Sequence, residues 1–349
     1  MKKRYLFKNI SFFIMKIIGG YMKSLGIFKD SKDGTIKSVF KVEKGIIEMS
    51  LINTKEDMDM LCVPTHHFCN MGCKMCHLTN NKLNKKMIPI NINDFLNGLV
   101  KSVSDIRGFR RTKKKKLLIS FIGVGEPLLN LELIEKVYKS EYYIKERLGY
   151  DDVSYALASM MPNDNILKLI ELVNSINMPL KIHFSLHNPI DSKRKGLIPN
   201  TKVSVEDALG YLVNYRNIIQ SNKIIMNKYI KFHRTNDPVE IHYTLIDDIN
   251  DSNEELNVMI NLLKKYEIPI KFLKFNPTNK MLISKNEDIW LKKIKKEIPN
   301  LRVKTYSPPG KEVGSSCGEF TKHYYHEEIE SKEDKLEFEN WVKKYQIFD

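Results

Sequence analysis

Past residue 60 the chain alternates short apolar runs of strand length with longer segments of helical periodicity. Runs at roughly 61–64, 117–122, 152–158, 180–186, 239–246 and 269–275 read as strands, and patterns near 92–107, 130–147, 164–175, 204–220, 252–266 and 286–297 read as helices. Alternation of this kind predicts an α/β fold with parallel strands joined by crossover helices, in the form of a partial (β/α)6 barrel over residues 61–320. Functional groups in such barrels gather at the carboxyl ends of the strands. Before the barrel the pattern predicts a short basic helical segment over 1–32 and a β-hairpin extension over 33–60; after it, 321–349 reads as a charged helical tail.

The first residues, MKKRYLFKNISFFIMKIIGGYM, open on positive charge and turn apolar, but Lys8 and Lys16 cut the apolar run shorter than a signal-peptide core. Nothing in the chain approaches the roughly 20 apolar residues of a membrane span, so no stable membrane association is expected. Of the 349 residues, 42% are hydrophobic, ample for a large core, and 57 basic against 42 acidic residues leave a net charge of +15. That balance predicts attraction to polyanions, RNA or an anionic membrane surface. Oxygen-sensitive thiolate chemistry at its five cysteines favours the reducing cytoplasm.

Three of the five, Cys69, Cys73 and Cys76, fall in the loop CNMGCKMC directly after the first barrel strand. Three thiolates on one compact loop can hold an iron-sulfur cube and leave its fourth iron open to a small molecule. Other chemistries fit parts of the loop. Cys73 to His77 also spells the attachment pattern of a c-type haem, which would leave Cys69 idle. His66, His67 and His77 could complete a Cys/His zinc tetrahedron, although structural zinc sites usually pair two separated ligand hairpins. After the second strand comes Gly123-Val-Gly125-Glu126, whose glycines let a ligand approach the backbone closely. Glu126 is placed to accept hydrogen bonds from an amino group.

Taken with FIGVGEPLLN, FSLHNP, LIPN, EIHYTLIDDINDS, FNP, SSCGEF and the earlier DGTIK and IEMSLI, the cysteine loop resembles the RlmN and Cfr family of radical S-adenosylmethionine (SAM) RNA methyltransferases over roughly residues 33–320. The resemblance implies a barrel of the radical SAM type, one [4Fe-4S] cluster on Cys69, Cys73 and Cys76, and SAM contacts from Gly125, Glu126, Ser185, Leu186, His187 and Asn276. It assigns catalysis to Cys317, which carries a methyl group, to Cys62, which resolves a protein–RNA thioether and is left in a disulfide, and to Glu48, which takes a ring proton. The chemistry suits its target, because carbons 2 and 8 of adenine lie between nitrogens and offer no electron pair for polar methyl transfer. The implied partners are RNA, ribosomal ahead of transfer, and an electron donor such as flavodoxin or ferredoxin; the implied state is a cytoplasmic monomer.

The chain also departs from the family. The strand end YALASMMP puts Ala156 and Ala158 where serine is expected, with Ser159 nearby, and PPGKEVGSSC replaces an acidic segment. The shortened amino terminus leaves the target RNA undetermined. The basic run from Arg110 to Lys116 precedes the second strand and reads as a solvated loop at the far end of the barrel. The insertion NKIIMNKYIKFHRTND interleaves basic and aromatic residues in a way that could contact phosphates and bases. A radical SAM enzyme acting on a peptide or small molecule, and a non-catalytic cluster- or zinc-holding RNA-binding protein, remain open on these residues.

Overall fold

The computed structural model of the chain describes residues 21–54, 57–80, 87–104, 115–233, 235–278, 281–314 and 332–348. Eleven strands form one sheet in the order β10-β9-β8-β7-β6-β5-β4-β3-β2-β1-β11. They are β1 (Met22–Lys29), β2 (Ile36–Val42), β3 (Gly45–Asn53), β4 (Met58–Cys62), β5 (Lys116–Phe121), β6 (Asp152–Ser159), β7 (Leu180–Ser185), β8 (Val239–Tyr243), β9 (Ile270–Leu273), β10 (Val303–Tyr306) and β11 (Gln346–Phe348). Strands β4 to β10 are parallel in sequential order, while β1, β2, β3 and β11 pair antiparallel.

Helices fill the connections: α1 (Ile92–Ser104), α2 (Leu131–Lys139), α3 (Glu141–Leu148), α4 (Asn165–Ser175), α5 (Asp191–Leu197), α6 (Val205–Ser221), α7 (Lys223–His233), α8 (Asn253–Tyr266) and α9 (Glu287–Glu297). Crossovers between parallel neighbours share one hand, so strands in sequential order send their helices to one face and the sheet curls with its other face concave. Outward side chains such as Leu61, Ile119, Phe121, Tyr155 and Ile182 join Phe95, Leu99 and Leu212 of the helices in one buried core. The six expected strands and helical segments are all present, with the second helical segment split at Ser140 into α2 and α3. A seventh parallel strand, β10, escapes the pattern because its four residues, VKTY, form a largely exposed edge with no apolar run.

Two expectations at the ends change. Residues 22–29, expected helical, are β1, which extends the β2–β3 hairpin into a three-stranded wing continuous with the barrel sheet; residues 1–20 lie outside the described residues. The tail forms α10 (Lys332–Tyr345) and then β11, which pairs with the outer edge of β1. Phe338, Trp341, Val342 and Tyr345 of α10 pack on Phe28, Val39, Ile46 and Val313, so the wing edge is covered instead of offered for pairing.

The insertion is a plug. Helix α7 buries Ile225, Met226, Tyr229 and Phe232, and Phe232 packs against Leu118 and Ala156 on the concave face. His233 and Ser154 Oγ lie 2.9 Å apart and Lys116 Nζ donates to the Lys231 carbonyl at 3.2 Å. Its aromatic rings are therefore spent on packing at the amino-terminal end of the barrel, and the expected base contacts are not available to them. Of the basic run, Arg110 to Lys114 lies outside the described residues.

Candidate functional site

Alternation along the strands decides which side chains face the concavity. The register sets Cys62 opposite both Ser50 and Ser120, Ala158 opposite His183, Ser185 opposite His242, and His242 opposite Lys271. At the carboxyl ends of these strands a cavity of 290 Å³ opens. Its walls include Cys69, Cys73, Cys76, His77, Gly125, Glu126, Ala158, Ser185, His187, His242, Thr244 and Asn276. Every residue expected to hold the cluster or SAM lines it, except Leu186, whose side chain is in the core and whose carbonyl accepts from Arg194.

The three cysteines are carried by the loop after β4. Burial raises the pKa of Cys69 to about 12 and lifts Cys73 well above its ordinary value, and for Cys73 the charges of Cys76, Cys69 and Glu126 add to the rise. The sulfurs thus face one another and need a cationic partner to be held together as thiolates. Backbone N–H groups of Leu78 and Thr79 oppose the rise at Cys76, which burial dominates. Thiolates on one tetrahedral zinc would sit about 3.8 Å apart, given a Zn–S bond near 2.3 Å. Among the described residues the only trio of ligand atoms all within 4.8 Å of one another is His183, Glu240 and His242, so the three cysteine sulfurs do not all lie that close together. A polynuclear cluster bridges such a gap.

Glu126 is buried under the cavity, with Leu128 N–H donating to Oε1 at 3.0 Å and Met160 N–H to Oε2 at 2.9 Å. Burial raises its pKa, and these bonds, with one from Ser159, only partly offset that. Ser159 is therefore a support beneath Glu126 and not a replacement for the missing hydroxyls; Ala158 takes the wall position. Gly125 has φ +108, and an added Cβ would meet His66 Nδ1 at 2.5 Å, so only glycine lets this backbone turn into the cavity.

His187, at φ 53, lies just beyond β7. Its Nδ1 accepts from Thr244 N–H at 3.2 Å and its carbonyl accepts from Asn250 Nδ2 at 2.6 Å. Burial, with Arg194 and His242 adding, lowers its pKa to about 3. The ring is neutral with its hydrogen on Nε2, one donor available to a ligand. Asn276 Nδ2 and His77 Nε2 close the opposite wall, 3.4 Å apart.

Arg194 is a residue that motif reading missed. It is buried, donates Nε to the Leu186 carbonyl at 3.0 Å and Nη2 to Met160 and Ser185 carbonyls at 2.7 and 3.3 Å, and lies over the Phe184 ring. It ties together the ends of β6 and β7, near enough to Cys73 and Glu126 that their charges raise a pKa which burial lowers to about 10. Its sequence context, DSKRKGL, carries no signal beyond one charge in a polar helix.

Of the expected catalytic residues, Cys62 and Glu48 are among those described. Cys62 ends β4 on the concave face, its thiol pushed up to about 12 by burial. Glu48 is on β3, 2.6 Å through Oε2 from Lys37 Nζ. Cys317 lies outside the described residues. A larger cavity of 620 Å³ between α5 and α8 is lined by Lys74, Lys193 and Glu255 and holds no thiol or histidine.

A scan against protein-family models finds none that matches. The chain is 26% identical over 301 residues to the dual-specificity RNA methyltransferase RlmN of Buchnera aphidicola subsp. Schizaphis graminum, covering 84% of this chain and 75% of that protein. It is 25% identical over 299 residues to the probable dual-specificity RNA methyltransferase RlmN of Clostridioides difficile, covering 84% and 77%. The chain is thus similar to proteins named RlmN at 25–26% identity over most of its length. In fold it matches a radical SAM methyltransferase from Sphaerobacter thermophilus, with a TM-score of 0.61 at 18% identity over 85% of this chain and 80% of that one. The chain thus shares the fold of that protein, and the likeness to the RlmN proteins covers 84% of the chain. No helix among the described residues is long and apolar enough to cross a membrane.

Proposed function

We propose that the chain is a radical SAM methyltransferase that places a methyl group on a ring carbon of adenine, C2 or C8, in RNA. One observation carries the reading: the three thiols of the CNMGCKMC loop share one cavity with Glu126, His187 and Asn276. A [4Fe-4S] cluster on Cys69, Cys73 and Cys76 would supply one electron to SAM, breaking a carbon–sulfur bond of the sulfonium to give methionine and a 5′-deoxyadenosyl radical.

The chain's own groups then divide the work. Glu126 keeps lone pairs for the SAM ammonium, since two backbone donors do not exhaust a carboxylate. His187 offers Nε2–H, Ser185 and Asn276 offer polar wall groups, and the flat Gly125 backbone admits the ligand. Cys317, deprotonated, accepts a methyl group from one SAM, which leaves as S-adenosylhomocysteine; that methyl loses a hydrogen atom to the deoxyadenosyl radical to give 5′-deoxyadenosine, and the exposed carbon bonds to adenine. The ring regains aromaticity by releasing one electron, returned to the cluster oxidised in SAM cleavage, and one proton, which goes to Glu48. Cys62, deprotonated, attacks Cys317 Sγ: the S–S bond forms as the S–CH2 bond breaks, the released carbon takes a proton to become methyl, and an external two-electron reductant reopens the disulfide. The +15 charge favours an RNA substrate, ribosomal ahead of transfer, and hence the cytoplasm. A flavodoxin or ferredoxin would donate the electron.

Expression in a host lacking its own family member, followed by mass-spectrometric mapping of RNA, tests the proposal. New methyladenosine that disappears with Cys73→Ala is the expected result. Abundant deoxyadenosine release with no methylated adenine would overturn it.

A further inference from the structure

Lys37 has no task in the chemistry above, yet its side chain is only 1% exposed. It stands in β2 opposite Ser50 of β3, and Ser50 stands opposite Cys62 of β4, so the three form one row across the concave face. Glu48 lies two residues along β3 from Ser50, on the same face. Because β3 runs antiparallel to β4, Glu48 is on the mouth side of Cys62. Lys37 Nζ is 2.6 Å from Glu48 Oε2 and donates to the Gly314 carbonyl at 2.5 Å. Glu48 Oε1 is buried and has no hydrogen-bond partner among the described residues.

Gly314 follows residues fastened to the β1–β2 turn. Gly310 N–H donates to Asp33 Oδ2 at 2.7 Å, Glu312 N–H to Asp30 Oδ2 at 2.9 Å, and Trp341 Nε1 to the Glu312 carbonyl at 2.8 Å. Val313 between them is fully buried. The carbonyl that Lys37 reaches is thus a fixed point.

We propose that Lys37 is a positioning residue for proton transfer: held by the Gly314 carbonyl, its ammonium binds one oxygen of Glu48 and leaves the other turned toward substrate. This rests on the adenine-methylation reading with Glu48 as proton acceptor. The choice of lysine has a physical reason. An ammonium donates from one point to separate acceptors, so it can serve a carbonyl and a single carboxylate oxygen. A guanidinium binds a carboxylate as a fork and would engage both oxygens. A buried carboxylate with no cation would turn to other donors or take up a proton itself.

The test uses the full chain, reconstituted anaerobically with iron and sulfide and supplied with reductant, SAM and ribosomal RNA from a host lacking the modification. Three quantities are read: deoxyadenosine released, RNA bound covalently to protein through denaturation, and methyladenosine formed. In Lys37→Met, methyladenosine should fall on the order of tenfold to 100-fold, short of the roughly 100- to 10,000-fold of a lost general base because Glu48 itself remains, while the covalent adduct accumulates and deoxyadenosine stays within about twofold. Lys37→Arg should show the same partition, because the charge is kept and the free oxygen is lost. If Lys37→Met does not fold, Lys37→Arg decides alone. A merely structural lysine predicts otherwise: arginine at wild-type ratios, or all three quantities falling together, and either outcome overturns the proposal. If wild type itself forms neither adduct nor methyladenosine, the functional reading fails instead, so the two failures are distinct.

Discussion

Two buried glutamates on one barrel meet opposite fates. Glu126, at the mouth, is held by backbone N–H groups and turned to a cavity; burial dominates and raises its pKa. Glu240 lies lower on the concave face, where Oε2 is 2.7 Å from Lys271 and 3.3 Å from Lys181, and Arg302 stands 3.7 Å from Oε1. Burial alone would raise the Glu240 pKa, but the close approach of the His183 and His242 rings and the Lys181 charge outweigh it and hold the group firmly ionised. His183, Glu240 and His242 are close enough to ligate an ion, yet three cations around the same carboxylate oppose a second positive centre there. Charge that is fully answered by neighbours builds the floor; at the mouth, polar groups keep unused bonding capacity, and that is where a ligand can enter.

The comparison breaks most sharply at Glu240. Glu240→Leu strands Lys181, Lys271 and Arg302 without their shared anion, and removing one side of a buried charge network costs about 3–5 kcal/mol. A large fall in the denaturant midpoint of the cluster-free protein is expected, with SAM affinity per folded molecule little changed. Stability within about 1 kcal/mol of wild type would mean water already reaches the floor past α7.

Glu126→Gln should do the reverse. The amide keeps one acceptor for the two backbone donors, costing about 1 kcal/mol of stability. Losing the carboxylate toward an ammonium should weaken SAM binding about tenfold, or 1.4 kcal/mol. Calorimetric titration of SAM into reconstituted protein measures this, and unchanged affinity would remove Glu126 from the cofactor site.

What could be read from the chain follows the same division. The cysteine loop, the Gly-x-Gly-Glu turn and His187 are local: each lies in one short stretch at the end of an apolar strand, so pattern alone places them on the correct end of the barrel. Glu240 is not legible as the centre of a network, since its partners come from β7, β9 and the residue before β10, and a lone glutamate inside EIHYTL looks like any strand residue. Lys37 fails for the same reason, its carbonyl partner lying 277 residues away. In the insertion, the interleaving of basic and aromatic residues is legible, but which of them meet protein is not, because the open barrel end that Tyr229 and Phe232 fill is a product of tertiary closure. Residues 22–29 carried apolar content without a period that separates strand from helix; only pairing with β2 decided it.

The smallest expected effect concerns the plug. His233 is held neutral at the floor, with burial and the charges of Lys181 and Lys116 lowering its pKa to about 3. The unfolded chain binds that proton near pH 6.5, so between 6.5 and 3 the unfolded state holds more protons and acid favours it. The contribution is complete above about pH 6.5 and is lost as pH falls toward 3. His233→Gln keeps a side chain able to bond Ser154 and removes the titration, so its stability should decline less between pH 7.5 and 5, by on the order of 1 kcal/mol after allowing for partial solvent access. Chemical denaturation at the two pH values reads the difference. An identical decline in both proteins would place His233 in contact with water, and with it the floor of the barrel; a smaller decline in the variant leaves the mouth as the one end of this barrel open to chemistry.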